Sequence, residues 1–283
     1  MLFRSTAFHE EQAARDASAD RTLRSSVADR KSGRSGAQEF RMTRSDRSVE
    51  SFSDDILSHG GYAYTTDARL SSRLANRRLT EAVLALADWE GCRVLDIGCG
   101  DGTYTFELGD ERAIRSGTGV DPNVPALGIA ATRKGSRPLA FIAASADRLP
   151  FPDDSFDVGQ IRGVLHHMDQ PVAALREALR VCPAVVIIEP NGYNPVLKIL
   201  ERCSEYHRRH GEKSYGPARV DRWIASIGGQ IGARRFVGLV PMFCPDWMAR
   251  LLKRLEPAVE RIWPLNRIAC AVYAFRVDRR SEQ

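Results

Sequence analysis

The sequence predicts an α/β fold that is built on a doubly wound, mainly parallel sheet. An apolar run at residues 93–97 passes directly into the glycines of 98–102, which is typical of a buried strand that feeds a tight turn. A second run, at 117–121, ends at an acid about one βαβ unit later. Short apolar runs then alternate with amphipathic segments, which favours parallel strands joined by crossover helices.

The elements follow from these patterns in chain order. Residues 67–87 predict a helix because apolar side chains recur there at near-helical spacing, with Asp67 available as its cap. A turn is predicted at 149–155, and Asn194-Pro195 predicts another. The other predicted helices are 103–115, 124–134, 171–181 and 220–227, and the predicted strands are 93–97, 117–121, 139–143, 156–161, 184–189, 235–240 and 269–277.

Charge is spread unevenly over the 283 residues. Residues 1–50, 51–189 and 190–283 carry net charges of +2, −5 and +8, so the basic surplus lies in the last third. A basic face attracts an anionic substrate, lipid headgroups or nucleic acid. A solvated, arginine-rich surface is the alternative interpretation.

The first 50 residues differ from the rest in composition. They are rich in Arg, Ser, Asp and Ala and show no periodic apolar face, so we expect a disordered tail at 1–50 and one domain at 51–283. Their Arg and Ser content resembles a transit peptide, although eight acidic residues argue against one. An overlong translation start is another explanation.

Cysteine usage and hydropathy limit the class of protein further. The six cysteines form no C-x-x-C pair and no metal-ligand spacing with histidine, so we expect buried free thiols and no metal site. No apolar run approaches the roughly 20 residues of a transmembrane helix. The N-terminus also lacks the apolar core of a secretory signal. We therefore expect a cytoplasmic protein.

The glycine turn departs from the dinucleotide-binding pattern G-x-G-x-x-G. Gly98 and Gly100 fit that pattern, but the next glycine is Gly102 and Thr103 stands where the pattern has glycine. NAD binding is therefore disfavoured. Asp121, at the tip of the next strand, is typical of a ribose site because one carboxylate can accept hydrogen bonds from both hydroxyls.

Together with segments 147–151, 153–157 and 164–168, these residues resemble the class I S-adenosylmethionine-dependent methyltransferases, in the type 11-like branch that acts on small molecules. The resemblance covers residues 60–190. It implies a Rossmann-like methyltransferase fold, which is a seven-stranded sheet with an antiparallel hairpin at its edge. It also implies S-adenosylmethionine as the cofactor and a substrate side formed by residues 191–283.

The resemblance also implies roles for individual residues at the cofactor. Gly98 and Gly100 admit the methionine moiety, Asp96 lies near its ammonium group, and Asp121 holds the ribose. The residues expected to bind the cofactor are Asp96, Gly98, Cys99, Gly100, Asp121, Pro122, Ser145, Ala146, Asp147 and Arg162.

Two positions depart from the family pattern. Ser145 replaces the acid that the family places against the adenine amino group. We therefore expect weaker adenine recognition, or that Asp147 reaches the adenine in place of that acid. The backbone of Ala146 can still donate to the ring. Arg162 is expected to pair with the cofactor's carboxylate, or alternatively to form a surface ion pair.

Methyl transfer requires a base when the nucleophile arrives protonated, and histidine is the natural candidate near pH 7. We expect His166 or His167 to act as this base, with a structural or capping role as the alternative. The expected acceptor is a hydroxyl or amine of a lipid-linked molecule, a glycan precursor or a secondary metabolite. The residues expected to contact it are Tyr62, Tyr64, Tyr193, Tyr206, His207 and His210.

Residues 246–265 predict a basic amphipathic helix that Pro257 bends. Packing or dimerisation is one interpretation of its apolar side, and contact with anionic lipid is the other.

Two further functions stay open. A non-catalytic member of the fold would bind the cofactor or a partner protein. An RNA methyltransferase would use the basic last third, but the interleaved aromatics expected for base stacking are missing. Base-modifying amino-methyltransferases also carry Asn or Asp, two prolines and an aromatic residue where this sequence has Arg162–Leu165, so nucleic acid is not the expected partner.

Overall fold

The computed structural model describes residues 43–205 and 212–280. Seven strands form one sheet in the order β3-β2-β1-β4-β5-β7-β6. Strands β1 to β5 run parallel to one another, and β7 runs antiparallel to both β5 and β6. The strands are β1 (Arg93–Ile97), β2 (Ser116–Asp121), β3 (Leu139–Ala143), β4 (Val158–Arg162), β5 (Ala184–Pro190), β6 (Gly229–Val237) and β7 (Val272–Arg279). The predicted doubly wound sheet with an antiparallel edge hairpin is confirmed.

Helices flank this sheet. The predicted helices over 67–87, 103–115, 124–134, 171–181 and 220–227 are all present, with ends that shift by a few residues. The helices are α1 (Arg44–His59), α2 (Ala63–Thr66), α3 (Leu70–Leu84), α4 (Thr103–Glu111), α5 (Val124–Arg133), α6 (Pro171–Val181), α7 (Pro195–Cys203), α8 (Pro217–Ser226), α9 (Asp246–Arg261) and α10 (Leu265–Ala269). Within the described ranges, no helix combines the length and the apolar character needed to cross a bilayer.

Buried apolar side chains form a core on each face of the sheet. On one face Leu95 and Ile97 of β1 pack with α6 and α8, and on the other Val94 packs with α3 and Trp89. Side chains of one strand therefore point alternately into the two cores. Because both faces are covered, β5 is buried along nearly its whole length and is uniformly apolar up to Glu189.

The two edge strands lie several residues away from their predicted positions. β6 covers Gly229–Val237 rather than 235–240, and β7 covers Val272–Arg279 rather than 269–277. Most of β6 is exposed, and its pairing with β7 is irregular between Ile231 and Arg234. An edge strand with one partner and an arginine-rich sequence carries little of the alternation on which the prediction depends.

The N-terminal boundary predicted at residue 50 is wrong, because residues 43–50 are part of the folded domain. Thr43 caps α1: its hydroxyl accepts a hydrogen bond from the Asp46 N–H, and the Asp46 carboxylate accepts one from the Thr43 N–H. This reciprocal pair is a capping box, which fixes the start of a helix. Residues 1–42 lie outside the described part of the chain.

Two other predicted local features differ in the structure. Asn194-Pro195 begins α7 rather than a turn, since the Asn194 side chain accepts from the N–H groups of Val196 and Leu197 and proline occupies the first helical position. Asp67 does not cap α3 directly. Its carboxylate instead accepts from the Arg69 N–H and the Ser72 hydroxyl and closes the turn that leads into the helix.

Candidate cofactor and acceptor site

A cleft of about 1370 Å³ lies at the carboxyl ends of the parallel strands. The chain leaves β1 toward β2 on one side and returns to β4 on the other, so this edge is a topological switch point. Ligands of open α/β sheets bind at such a point. Across the edge, the cleft is lined in strand order by the end of β2, the turn after β1, the segment after β4 and the end of β5.

The turn after β1 requires glycine at the positions that line the cleft. Gly98 and Gly100 have φ values of +77° and +53°. A Cβ at Gly98 would lie 2.3 Å from a Val164 methyl, and one at Gly100 would lie 2.4 Å from the Tyr62 ring. The turn therefore brings bare backbone to the cleft, in a conformation that other residues adopt only with strain.

Asp121 ends β2 with its carboxylate buried against the glycine turn. One oxygen accepts from the Gly100 N–H at 2.9 Å and the other from the Asn123 N–H at 2.8 Å. Each carboxylate oxygen has a second lone pair, so both can accept a further bond from a ligand in the cleft. Burial raises the pKa of Asp121 to about 6, with smaller contributions from the nearby Asp96 and Asp101.

Asp96 lies beneath the turn and does not line the cleft. It is almost fully buried, accepts a hydrogen bond from the Thr105 hydroxyl, and burial raises its pKa. Its carboxylate therefore fixes the base of the turn, and contact with the cofactor's ammonium stays a prediction. Together with Asp101 and Asp121, it gives this end of the cleft an acidic character that suits a cationic ligand.

The remaining cofactor residues on this side occupy the wall and the rim. Cys99 is buried in the wall, and burial raises the pKa of its thiol well above the usual value. Pro122 and Ala146 line the cleft, and their contact with the cofactor stays a prediction. The Ser145 hydroxyl donates to Asp147 at 2.6 Å, and both side chains are exposed at the rim. Adenine recognition by this pair stays a prediction.

Arg162 does not form a surface ion pair, because its side chain is only 7% exposed. Its guanidinium lies 3.4 Å from the centre of the Tyr104 ring and donates to the Thr80 hydroxyl at 2.9 Å. A second nitrogen donates to the Asn76 carbonyl, and Glu107 lies 3.8 Å away. Arg162 thus ties α3 and α4 to the end of β4, at a position that still lines the cleft.

The N-terminal helix α1 and the segment that follows it cover the cleft. The Phe52 ring packs edge-on against Tyr62 at 5.3 Å and against His167 at 5.0 Å. At the start of α1, the Ser45 N–H donates to Asp169, and the Asp169 N–H donates back to the Ser45 hydroxyl. We call residues 43–66 the lid.

The Tyr62 ring of the lid lies against the glycine turn at Gly100. Its hydroxyl accepts a hydrogen bond of 3.4 Å from the Asn123 side chain. Burial, and then the charges of Asp121 and Asp101, raises the pKa of Tyr62, so the phenol stays neutral. Tyr62 therefore closes the polar end of the cleft from above.

His166 is held by a buried acid. Its Nδ1 lies 2.9 Å from Oε2 of Glu189 at the end of β5, and both residues are almost fully buried. The Glu189 carboxylate also accepts from the N–H groups of Val164, Leu165 and His166. A carboxylate that accepts at Nδ1 fixes the tautomer and makes Nε2 the basic nitrogen of the ring.

Among the described residues, the end of the cleft where we expect the acceptor is lined mainly by apolar side chains, with Glu201, Ser204 and Ser214 as polar members. Its walls come from α3, from the end of β5, from α7, and from the segments that flank α9 and α10. The apolar residues that line it are Ala75, Leu79, Ile188, Val196, Leu197, Leu200, Leu239, Val240, Met242, Phe243, Met248, Ile268 and Val272.

The predicted acceptor residues have different outcomes. Tyr62 lines the cleft, but Tyr193 does not: its hydroxyl accepts from the Ala218 N–H, and Arg267 lies over its ring. The side chain of Tyr64 is not among the described ones. Tyr206, His207 and His210 lie outside the described residues.

Sequence reasoning missed Phe52 and the structural role of Glu189. A local signal existed for the helix of Phe52, namely the Thr43-x-x-Asp46 capping box. No local signal places that ring over the cleft, because the docking of the lid is a tertiary contact. Likewise, an acid that ends a strand does not reveal which backbone N–H groups it will accept from.

These residues fit an adenosyl sulfonium cofactor. The glycine turn is a cradle that a Cβ would fill, and Asp121 presents two buried oxygens to the cleft beside it. Three acids near the turn match a positively charged group.

The sheet order is that of the Rossmann-like methyltransferase fold. Residues 95–184 match the family described as a methyltransferase domain. The structure has a TM-score of 0.61 with an S-adenosylmethionine-dependent methyltransferase from Thermotoga maritima, described as a possible histamine N-methyltransferase, over 82% of this chain and 100% of that one. At 18% identity this likeness shows the fold alone.

Curated relatives match a shorter segment. Over 98 residues the chain is 42% identical to a demethylmenaquinone methyltransferase of Beutenbergia cavernae, covering 34% of this chain and 39% of that protein. Over 112 residues it is 33% identical to a fatty-acid O-methyltransferase of Mycolicibacterium smegmatis, covering 37% and 41%. The matches thus span less than half the length of these relatives.

Proposed function

We propose that this protein transfers a methyl group from S-adenosylmethionine to a hydroxyl group of an apolar small molecule. One observation carries the proposal: a single cleft runs from Asp121 and the glycine turn, past His166, to an end that is lined mainly by apolar side chains. Strand order fixes this sequence of features, because β2, β1, β4 and β5 follow one another across the sheet edge.

Asp121 and the turn around Gly98 and Gly100 would hold the cofactor. The Asp121 carboxylate would accept both ribose hydroxyls while it keeps its bonds to the backbone, and the turn would take the methionine moiety against bare backbone. When bound, S-adenosylmethionine supplies an electrophilic methyl group on a sulfonium. The acids near the turn favour that cation, and the lid excludes water from it.

His166 would remove the proton of the acceptor hydroxyl at Nε2. Glu189 fixes the ring through Nδ1 and stabilises the imidazolium that proton transfer creates, which is the role of the acid in a hydrogen-bonded acid–histidine pair. Glu189 itself is anchored by the three backbone N–H groups that it accepts from. This arrangement favours His166 over His167 as the base.

The acceptor class follows from the walls of the cleft. Thirteen apolar residues line the acceptor end, so an acceptor gains most of its affinity there by burying apolar surface. A lipid-like molecule with a terminal hydroxyl or phenol fits this end better than a sugar does. The relative named as a fatty-acid O-methyltransferase supports the long apolar chain of the acceptor, but not its hydroxyl group, because a fatty acid presents a carboxylate that needs no base.

A transfer assay tests the proposal directly. Purified protein is given S-adenosylmethionine with a labelled methyl group and either a long-chain alkyl phenol, a long-chain fatty acid or the short-chain counterpart of each. We expect label in the long-chain products and little in the short-chain ones. Absence of transfer to every acceptor, with cofactor binding intact, would favour a non-catalytic cofactor-binding protein instead.

The ribose assignment has a separate test. Asp121→Ala removes two charge-assisted hydrogen bonds, so we expect the dissociation constant for S-adenosylhomocysteine to rise about 100-fold by calorimetry. Asp110→Ala is the matched control, because that carboxylate pairs with Arg137 and does not line the cleft. Equal affinity of the two variants would remove Asp121 from the site.

A further inference from the structure

The outward side of α9 carries a row of exposed apolar side chains. Trp247, Leu251 and Leu255 follow one another at four-residue spacing and are 68%, 48% and 48% exposed. The opposite side of the helix buries Ala249 and Glu256 against the domain. Leu252 of the predicted apolar side also packs on the domain, whereas the row of Trp247, Leu251 and Leu255 is left exposed.

The same apolar surface continues on α7 and α10. The Asn194 side chain, at the start of α7, donates to the carbonyl of Ala269 in α10 at 3.0 Å, which joins the two helices. Large contiguous apolar patches are rare on monomeric soluble proteins and mark interaction sites. The exposed apolar residues of these helices and the adjoining segment are Val196, Ile199, Leu200, Ile262, Trp263, Leu265 and Ile268. We call this surface, with the row on α9, the apolar rim.

The apolar rim reaches the mouth of the cleft. Val196, Leu200 and Ile268 are at least 40% exposed and also line the acceptor end. These three residues therefore belong both to the rim and to the wall of the cleft.

A row of arginines runs beside the apolar row on α9. Arg250, Arg254 and Arg261 are exposed and lie on the adjacent strip of the helix surface. Residues 190–283 as a whole carry a net charge of +8. A helix that presents tryptophan and leucine next to arginine matches the interface of an anionic bilayer, where apolar groups enter the acyl boundary and the cations meet phosphate.

A second copy of this chain matches the rim less well. A two-fold contact through the same surface would bring two arginine rows and two net-positive segments together. An anionic lipid surface instead supplies both the apolar medium and the opposite charge.

We propose that the apolar rim and its arginine row bind the surface of an anionic lipid bilayer, so that the acceptor end of the cleft opens into lipid. The binding surface stands independently of catalysis. The entry of the acceptor from the bilayer rests on the proposed function and adds its source: a membrane-dissolved molecule.

Vesicle co-sedimentation tests the surface without any methyl-transfer readout. The full-length protein is mixed with phosphatidylcholine vesicles that contain about 30 mol% phosphatidylglycerol, or none. We expect clear sedimentation with the anionic vesicles and at least tenfold weaker partitioning on pure phosphatidylcholine. Failure of this assay leaves the proposed transfer reaction standing, and failure of the transfer assay leaves this result standing.

Paired variants locate the surface. Trp247→Ala with Leu251→Ser, and Arg250→Glu with Arg254→Glu, are each expected to lower partitioning on anionic vesicles by about tenfold or more. The controls are Ile142→Ser on β3, at the other edge of the sheet, and Arg115→Glu, which precedes β2 at the opposite end of the strands. Both controls should bind like the wild type.

Two results would overturn the proposal. One is equal partitioning of the rim variants and the controls. The other is a wild-type dimer in sedimentation equilibrium that Trp247→Ala dissociates, with no binding to anionic vesicles, because the rim would then be covered by a second copy.

Discussion

The two ends of the cleft are built in different ways. The cofactor end comes from the tips of neighbouring strands and the turn that follows one of them, so its residues are fixed by the sheet. The acceptor end comes from helices and connecting segments that are far apart in sequence, from Ala75 on α3 to Val272 on β7. Polar geometry defines the first end, and apolar surface defines the second.

This difference explains how the same fold can bind one cofactor while the residues around the acceptor vary. Gly98 and Asp121 cannot be replaced without strain or loss of hydrogen bonds, since a Cβ at Gly98 would overlap Val164. Apolar residues at the acceptor end, such as Leu197 and Leu239, can exchange with others of similar size at modest cost. We therefore expect changes at each end to affect different kinetic constants.

His166 lies between the two ends, and its substitution has the largest expected effect. His166→Ala should lower kcat by about 10²- to 10⁴-fold, because it removes the proposed base, while the affinity for S-adenosylhomocysteine stays within about twofold. Steady-state kinetics with calorimetry measures both quantities. His166→Gln and thermal melting separate a catalytic loss from a folding defect at this buried site.

His167→Ala is the matched control for the base. The His167 ring packs against Phe52 of the lid, whereas Glu189 makes its 2.9 Å contact with His166. We expect a much smaller loss of kcat. A loss as large as that of His166→Ala would mean that the pair acts together and would end the distinction between the two histidines.

The cofactor end should respond to pH, whereas the acceptor end should not. Burial raises the pKa of Asp121 to about 6, and the ionised carboxylate is the form that accepts hydrogen bonds from both ribose hydroxyls. Affinity for S-adenosylhomocysteine should therefore be full above pH 7 and fall as pH drops through 6, by about tenfold between pH 7 and pH 5. Calorimetry at several pH values measures this.

Asp121→Asn is the control for the pH effect, because an amide does not titrate in this range. Its affinity should be weaker throughout and flat with pH. A wild-type affinity that does not change between pH 7 and pH 5 would contradict the assignment of Asp121 to the ribose.

The same contrast explains what the sequence could predict. The sheet, its crossover helices and the glycine turn with Asp121 at the cleft follow from local signals: buried apolar runs, three glycines after β1, and acids at strand ends. Tyr193 was predicted near the acceptor and instead packs against α8 and Arg267, because residue type alone does not indicate which way a loop side chain points.

The features that local signals did not predict are those that depend on tertiary contacts. The lid docks through Ser45, Phe52 and Tyr62. These residues are far apart in sequence and have polar neighbours, so they form no periodic apolar pattern. The edge strand β6 has one partner and an exposed, arginine-rich sequence, so its apolar pattern is weak. Apolar residues at the acceptor end look like ordinary core positions until the fold arranges them around a space.

The smallest predicted effect concerns the lid, which spans both ends of the cleft. Ser45→Ala removes the acceptor for the Asp169 N–H, one of the two reciprocal hydrogen bonds at the start of α1. Because that bond is exposed, the lid should open only about two- to tenfold more often. Hydrogen exchange of residues 44–59 should quicken by that factor, and S-adenosylhomocysteine should dissociate faster by a similar one.

Ser53→Ala is the control, since the Ser53 hydroxyl donates to the Val49 carbonyl within the helix itself. Faster exchange with unchanged dissociation would mean that α1 opens without exposing the cofactor end, and the lid would then belong to the acceptor end alone.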